Sequence, residues 1–394
     1  MAATPRREFP SGLDAKDFGL FDGAKIPSPA PAGVECNLAV GSRMFIVGLG
    51  TAAPAQKYAQ RECWEALQNE RRFAQLNSRS RAILKKVLTG SNGIATRHLA
   101  LPSLKTAFDL TPDALHERFL TNAPALATHA AHQALEHAHL NPAAIDALLI
   151  STCTGYLCPG LTSYVGERLG VRPEILSLDL VGQGCGAAIP NLRTAEALLK
   201  SGQAEHVLSI CVEVCSAAFY LDDDPGVLIS ACLFGDGAGA AILANAPNKN
   251  RQVEWALSAS GFSPEHRESL RFEHRQGMLR NVLRPEVPGL AARQSKRVLQ
   301  NVLDRARLRV DEIRGWMFHP GGRDVLLALR EQLDLDERDL RWSAGVLNEF
   351  GNLSSASLFF VLRAALSDSA PGGHWLASSF GAGFSGHGAL LQVE

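Results

Sequence analysis

From Met44 onward the chain alternates between short apolar runs and longer stretches with helical spacing. Met44–Gly50 (MFIVGLG) is a nearly continuous apolar run and predicts a first strand. Helical stretches rich in Arg, Lys, Glu and Gln follow between Gln60 and Lys86. The spacing predicts a further helix over Ala123–His139, stopped at Asn141-Pro142. Ile145–Thr152 (IDALLIST) reads as a strand running into Cys153-Thr154-Gly155, and Ile175–Leu180 (ILSLDL) alternates with strand period. Ala187–Lys200 (AAIPNLRTAEALLK) returns to helical spacing, and strands follow over His206–Glu213 and Ala238–Ala244. Ala246–Asn250 (APNKN) breaks the pattern, and a second strand, helix and strand series begins at Gln252. The pattern therefore divides the chain at 43–245 and 246–394, although no sequence repeat relates the two halves. Residues 1–42 hold several Pro and Gly, notably Ile26–Gly33 (IPSPAPAG), with no sustained apolar period; they read as a partly disordered N-terminal extension.

Three junctions between these elements carry candidate chemistry. Cys185 lies in Gly184-Cys185-Gly186, where the Ile175–Leu180 strand gives way to the Ala187–Lys200 helix. Unpaired backbone N–H groups and the positive end of the dipole at a helix N-terminus stabilise a thiolate, and flanking glycines admit a second molecule close to the sulfur. A structural buried cysteine is the commoner fate of a single Cys, so partners are needed. His319 supplies one: it ends the apolar run Trp316-Met317-Phe318 and precedes the chain-reversing Pro320-Gly321-Gly322. Asn352 supplies another, in a Gly351-Asn352 turn before the apolar helix Leu358–Leu366. A lone His or Asn is more often a surface or capping residue. A Cys, His and Asn each held on a rigid junction form a set suited to nucleophilic catalysis.

The same segments resemble the type III polyketide synthases, the chalcone synthase family of the thiolase fold, in a bacterial-type form. The nucleophilic cysteine at a helix start matches Cys185, the HPGG motif matches His319–Gly322, and GN-x-SSA matches Gly351–Ala356, which includes Ser354. The LFGDGA motif stands unchanged at Leu233–Ala238, so Phe234 takes the gatekeeper position at the mouth of the acyl cavity. The GFGPG loop survives in part as Ser379-Phe380-Gly381-Ala382-Gly383, with Ser and Ala replacing a Gly and the Pro. The resemblance runs from about Arg43 to the C-terminus. It implies an α/β fold of two pseudo-duplicated halves in a five-layered αβαβα core, and a homodimer that takes an acyl-CoA starter and malonyl-CoA. It implies Cys185 as acyl carrier, with His319 and Asn352 as hydrogen-bond donors to the enolate left by decarboxylation. His319 as imidazolium is also expected to lower the Cys185 pKa. Cys153, Thr154 and Ala218 take cavity-lining positions, with Ser354, Phe380, Gly381 and Gly383 in the substrate-binding motifs. Cys158 takes the position that crosses the dimer interface. These four small pocket residues favour a roomy cavity and an aliphatic starter over an aromatic one. Arg81, Lys85 and Lys86 fall where the family binds CoA phosphates, although a basic cluster is ordinarily a solvated helix face. Cofactor and metal are expected to be absent. The CTG-x-x-x-PG pattern at Cys153–Gly160 fits members that make alkylpyrones, alkylresorcinols, phloroglucinols or polyhydroxynaphthalenes.

Composition narrows the remaining possibilities. The 394 residues, 46% hydrophobic with 35 glycines, suffice for a large core, and the net charge of −1 gives no general attraction to nucleic acid or anionic membrane. No run of eighteen apolar residues exists and the N-terminus lacks an apolar signal segment, so a cytoplasmic protein without stable membrane insertion is expected. Eight cysteines lie without metal-type spacing, and reduced thiols are expected. His129, His132, His137 and His139 read as helix-surface residues, and Asp222-Asp223-Asp224 as an acidic turn. A β-ketoacyl-ACP synthase III-like enzyme shares the Cys, His, Asn trio but tends to carry an HQ-type histidine motif. A papain-like hydrolase has the same chain order, yet its Gln and Cys-Gly-x-Cys-Trp context is missing. An inactive scaffold of the same fold would not need all three positions filled.

Overall fold

The computed structural model describes residues 43–394, and the extension expected over residues 1–42 lies outside the described residues. Among the described residues the first half contributes β1 (Phe45–Ala52), β2 (Lys57–Ala59), β3 (Thr96–His98), β4 (Ala147–Ser151), β5 (Leu176–Leu180), β6 (His206–Glu213) and β7 (Gly237–Ala244). The second contributes β8 (Val253–Phe262), β9 (Leu270–Arg275), β10 (Met278–Leu283), β11 (Ile313–Phe318), β12 (Gly373–Gly381) and β13 (Ser385–Val393). Nine of these form one sheet in the order β11-β12-β13-β8-β1-β7-β6-β4-β5. β2 with β3 and β9 with β10 form separate two-stranded ribbons.

The sheet has a seam. β1 and β8 meet through a single register pair, Phe45 with Glu254, whereas neighbouring strands on either side pair over most of their length. On each side of the seam the same order recurs. β1 is antiparallel to β7, β7 to β6, and β6 is parallel to β4; likewise β8 is antiparallel to β13, β13 to β12, and β12 is parallel to β11. A duplication that left no repeat in the residues is thus visible in the strand order. Ala246–Asn250 falls in the connection between β7 and β8.

Five layers follow from how the apolar faces are covered. The helices Ala188–Lys200 and Ser357–Ser367 lie between the two half-sheets, where Leu192, Leu199, Phe359 and Val361 share one cluster with Leu149, Val207, Met317 and Ala377. Pro112–Ala138 and Leu161–Leu169 cover the outer face of the first half-sheet; Val287–Ala306 and Arg323–Leu333 cover that of the second. Strands buried on both faces carry no polar alternation, which explains the apolar run IDALLIST: Leu149 points to the inner cluster and Leu148 and Ile150 to the outer one.

The helix expected from Ala123 begins at Pro112 instead, capped by Thr111 Oγ1, which accepts from Ala114 N–H at 3.3 Å. Pro124 sits inside it and removes one intrahelical bond, but Leu115 and Phe119 in the earlier turns are buried, and Phe119 packs into the cluster on the first half-sheet. Its stripe Ala123, Ala127, Ala130, Ala131 and Ala134 is fully buried and lets the helix backbone approach β1. The approach is close enough that a Cβ on Gly50 would stand 2.1 Å from the Ala130 carbonyl oxygen. His129, His132, His137 and His139 on this helix and its end are exposed, as expected. Gly50→Val is predicted to destabilise the fold by about 3 kcal/mol, because neither backbone can yield without separating helix from sheet. Urea unfolding reads this, and an unchanged midpoint would contradict the close approach.

Candidate active site

The two inner helices begin at the same place. Cys185 lies in a single turn, Gly184–Gly186, that leads into Ala188–Lys200, and Ser354–Ala356 forms the matching turn before Ser357–Ser367. The turns pack on each other, and Ser354 Oγ lies 3.3 Å from Cys185 Sγ. Gly184 has φ +55°, a left-handed conformation that lets the chain leave β5 and enter the helix within a few residues. Gly381 of β12 abuts this turn so closely that a Cβ there would stand 2.2 Å from the Gln183 carbonyl oxygen. This contact explains the part of the C-terminal loop motif that survives.

His319 follows directly on β11, its backbone N–H donating to the Ser378 carbonyl at 2.9 Å. Its ring is 1% exposed, lies edge-on to Phe380 with centroids 5.1 Å apart, and neither ring nitrogen has a hydrogen-bond partner. Asn352 ties the segment after His319 to the Ser354 turn: Nδ2 donates to the Gly321 carbonyl at 3.1 Å, and Oδ1 accepts from Ser354 N–H at 2.8 Å. Its backbone pairs with the LFGDGA segment, since Asn352 N–H donates to Leu233 O and Gly235 N–H to Asn352 O. Phe234 is held from the other side by Arg97, whose Nη1 donates to the Phe234 carbonyl at 3.0 Å.

Burial dominates the charges. It pushes the Cys185 thiol up to about 12, with the Glu213 carboxyl adding to the rise and the Ser354 hydroxyl opposing it, and it draws His319 down to about 3. The imidazolium expected beside Cys185 is therefore not the resting state, because an isolated charge on either group lacks solvation. No hydrogen bond joins the two side chains.

Glu213 was not anticipated from the sequence. It is fully buried at the end of β6 and accepts from Cys153 N–H at 3.0 Å, Thr154 Oγ1 at 2.9 Å and Ser355 Oγ. Ser354 Oγ stands 3.2 Å and Cys153 Sγ 3.3 Å from its Oε1. Burial raises its pKa, and these donors work against the rise. The available signal was an acidic residue closing an otherwise apolar strand, SICVEVC. Ser354 has one proton to give and two acceptors in reach, Cys185 Sγ and Glu213 Oε1.

A narrow cavity adjoins this cluster, and Thr154, Ala218, Phe234 and Ser354 are among the residues that line it. Phe219, Tyr220, Phe272 and Asn281 also line it and were missed, being spread over segments without a motif. These aromatic walls correct the expectation of roominess from small residues alone. Cys153 joins the site through Glu213 and Ser354, whereas Cys158 is exposed and lines no part of this cavity. Phe380 and Gly381 face His319 and the Cys185 turn respectively, and Gly383 lies in the β12–β13 turn beside Phe262. Lys85 and Lys86 are exposed on the helix Ser78–Thr89, while Arg81 donates to the Ala74 carbonyl at 3.3 Å.

Five layers with a cysteine at the N-terminus of an inner helix define a thiolase-like fold. Residues 50–260 match the family model described as FAE1/type III polyketide synthase-like protein, and residues 254–391 match the chalcone and stilbene synthase C-terminal domain. The chain belongs to the type III polyketide synthase family, whose members are acyltransferases that catalyse decarboxylative condensation. It is 28% identical, over 100% of its length and 99% of the relative's, to 3,5-dihydroxyphenylacetyl-CoA synthase of Streptomyces toyocaensis. It is 30% identical to 1,3,6,8-tetrahydroxynaphthalene synthase of Streptomyces peucetius subsp. caesius, over 88% of this chain and 92% of that protein. The crystal structure of PKS-I from the brown alga Ectocarpus siliculosus superposes with a TM-score of 0.81 at 23% identity, covering 90% of this chain and 99% of that one. The fold sets aside the papain-like alternative, and the family match favours polyketide synthase over synthase III.

Glu213→Leu strands at least three buried donors and is predicted to destabilise the protein by about 3 kcal/mol. Guanidinium unfolding measures it; a loss under about 1 kcal/mol would show that the network does not depend on the carboxyl.

Proposed function

We propose that Cys185 carries the growing acyl chain and that His319 and Asn352 stabilise the malonyl-derived enolate. The observation that supports this most is the coupling of the three turns through Asn352 and Ser354, which holds a buried thiol, an unpartnered imidazole and an amide on linked turns beside the cavity that Ser354 lines. Cys185 gives its proton to His319, so both charges arise together and neither is buried alone. The thiolate attacks the thioester carbonyl of an acyl-CoA, the C–S bond to CoA breaks, and His319 returns the proton to the departing CoA thiolate. Malonyl-CoA then loses CO₂, and the electron pair of the broken C–C bond moves onto an enolate oxygen that accepts from His319 and Asn352. One such donor lowers the barrier by about 3 kcal/mol. The carbanion attacks the Cys185 thioester and expels the thiolate, leaving a chain two carbons longer on CoA. No step in this sequence calls for a metal or redox cofactor.

The starter is proposed to be aliphatic. A second cavity, of about 60 Å³, shares Phe219 and Ala231 with the first and is lined almost wholly by apolar side chains, among them Leu67, Leu84, Leu88 and Leu104. Lys85 and Lys86, exposed on a helix that packs against the one leading to Phe234, are proposed to meet the CoA phosphates, with Arg81 beside them. A homodimer is proposed through β5, an edge strand with Leu176 and Leu178 exposed and Tyr156 and Val181 bare nearby. Cys158 is exposed in the same connection and is the residue proposed to reach the partner. No helix among the described residues is long and apolar enough to cross a membrane, and a cytoplasmic location is proposed.

Incubation with malonyl-CoA and short, long and aromatic acyl-CoAs is predicted to give pyrones or resorcinols by mass spectrometry, and Cys185→Ala to give none. Condensation of an acyl-carrier-protein thioester alone would overturn the polyketide reading. His319→Gln is predicted to move the pH midpoint of Cys185 alkylation by iodoacetamide upward, because the thiol then loses the group that takes its proton. An identical pH profile for variant and wild type would refute the pairing.

A further inference from the structure

One buried histidine takes no part in this chemistry yet touches the nucleophile's turn. His387 of β13 is 5% exposed, and a Cβ on Gly186 would stand 3.2 Å from its Cδ2. Its ring lies in a chain of hydrogen bonds whose direction is fixed at both ends. Arg193, on the helix that follows Cys185, donates through Nη1 to Ser260 Oγ at 2.7 Å. Ser260 lies 2.8 Å from His387 Nδ1, His387 Nε2 lies 3.1 Å from Ser385 Oγ, and Ser385 Oγ donates to the Ala382 carbonyl at 3.1 Å. Arginine only donates and a carbonyl only accepts. Ser260 therefore gives its proton to Nδ1, and His387 is the neutral tautomer with its proton on Nε2. Burial lowers His387 to about 4, which agrees with that neutral form.

The chain ends on the β12–β13 turn, and that turn flanks the nucleophile on two sides. Cβ atoms on Gly184 and Gly186 would stand 3.1 Å from Ala382 N and Gly381 N. Ser379 Oγ adds a bond to the Gly186 carbonyl at 3.0 Å. This is the loop in which Ser and Ala replace the family's Gly and Pro, so side-chain hydrogen bonds hold what a stiff ring would otherwise restrain. We propose that His387 is a positioning residue for Cys185: through Ser385 it fixes the Ala382 turn against Gly184 and Gly186, and through Ser260 and Arg193 it ties that turn to the nucleophile's helix. The proposal rests on Cys185 being the reacting thiol.

Ser260 and Ser385 are linked through His387, so a double-mutant cycle separates a relay from two independent contacts. Ser260→Ala and Ser385→Ala, which remove one oxygen each, are predicted to slow both acylation of Cys185 by acyl-CoA and its alkylation by iodoacetamide by about three- to tenfold. The double variant is predicted to be no slower than the slower single one, and His387→Gln, which keeps a donor towards Ser385, to recover part of what His387→Leu loses. Malonyl-CoA decarboxylation is predicted to change by less than twofold in the serine variants. Multiplicative effects, no effect of either serine, or equal losses in acylation and decarboxylation would overturn the relay. If the wild type takes no acyl group from any CoA while alkylation still shows the coupling, the positioning role stands and the acyl-transfer reading falls.

Discussion

The site depends on two inner helices sharing one starting point. A buried helix N-terminus leaves backbone N–H groups without partners and favours negative charge. Stacking two topologically equivalent half-sheets on a common helical layer brings two such termini together, one at Cys185 and one at Ser354. The seam between β1 and β8 keeps the half-sheets in register, and the close approach of Gly50 to Ala130 braces the first against its outer helix.

Burial at this junction is both the enabling and the limiting condition. It excludes water, which would quench an enolate, but it also makes any single charge costly, as the opposite shifts of Cys185 and His319 show. Under the proposed proton transfer from Cys185 to His319, charge enters the site only as a compensated pair. Glu213 obeys the same rule by a different route, being surrounded by donors rather than paired with a cation. Its closeness to Ser354 leaves that hydroxyl with two acceptors in reach, the Glu213 carboxyl and the Cys185 sulfur.

What the sequence disclosed was set by how local the determinants are. The strands, the helix beginning after Cys185, and the junction positions of His319 and Asn352 all follow from patterns a few residues long. Thr154, Phe234 and Ser354 were legible because motifs mark them, and Ala218 only through the resemblance to the family. The helix start at Pro112 was missed because Thr111-Pro112 reads as a turn unless Leu115 and Phe119 are known to be buried. Glu213, Phe219, Phe272 and His387 were missed because their significance lies in neighbours distant in the chain, and a single buried carboxyl or imidazole leaves no local periodicity. The neutral resting state of Cys185 and His319 was likewise hidden, since burial is a property of the assembled layers. The duplication itself is legible only in strand order.

The central claim is that the inner-helix junction presents Cys185 for acyl transfer. Brief exposure of the wild type to an acyl-CoA without malonyl-CoA, followed by quenching and peptide mapping by mass spectrometry, tests it most directly. The account predicts one acyl group per chain, on the peptide that contains Cys185. Acyl label on Cys153 or Cys215 instead, or no label with any acyl-CoA while the fold is intact, would contradict it.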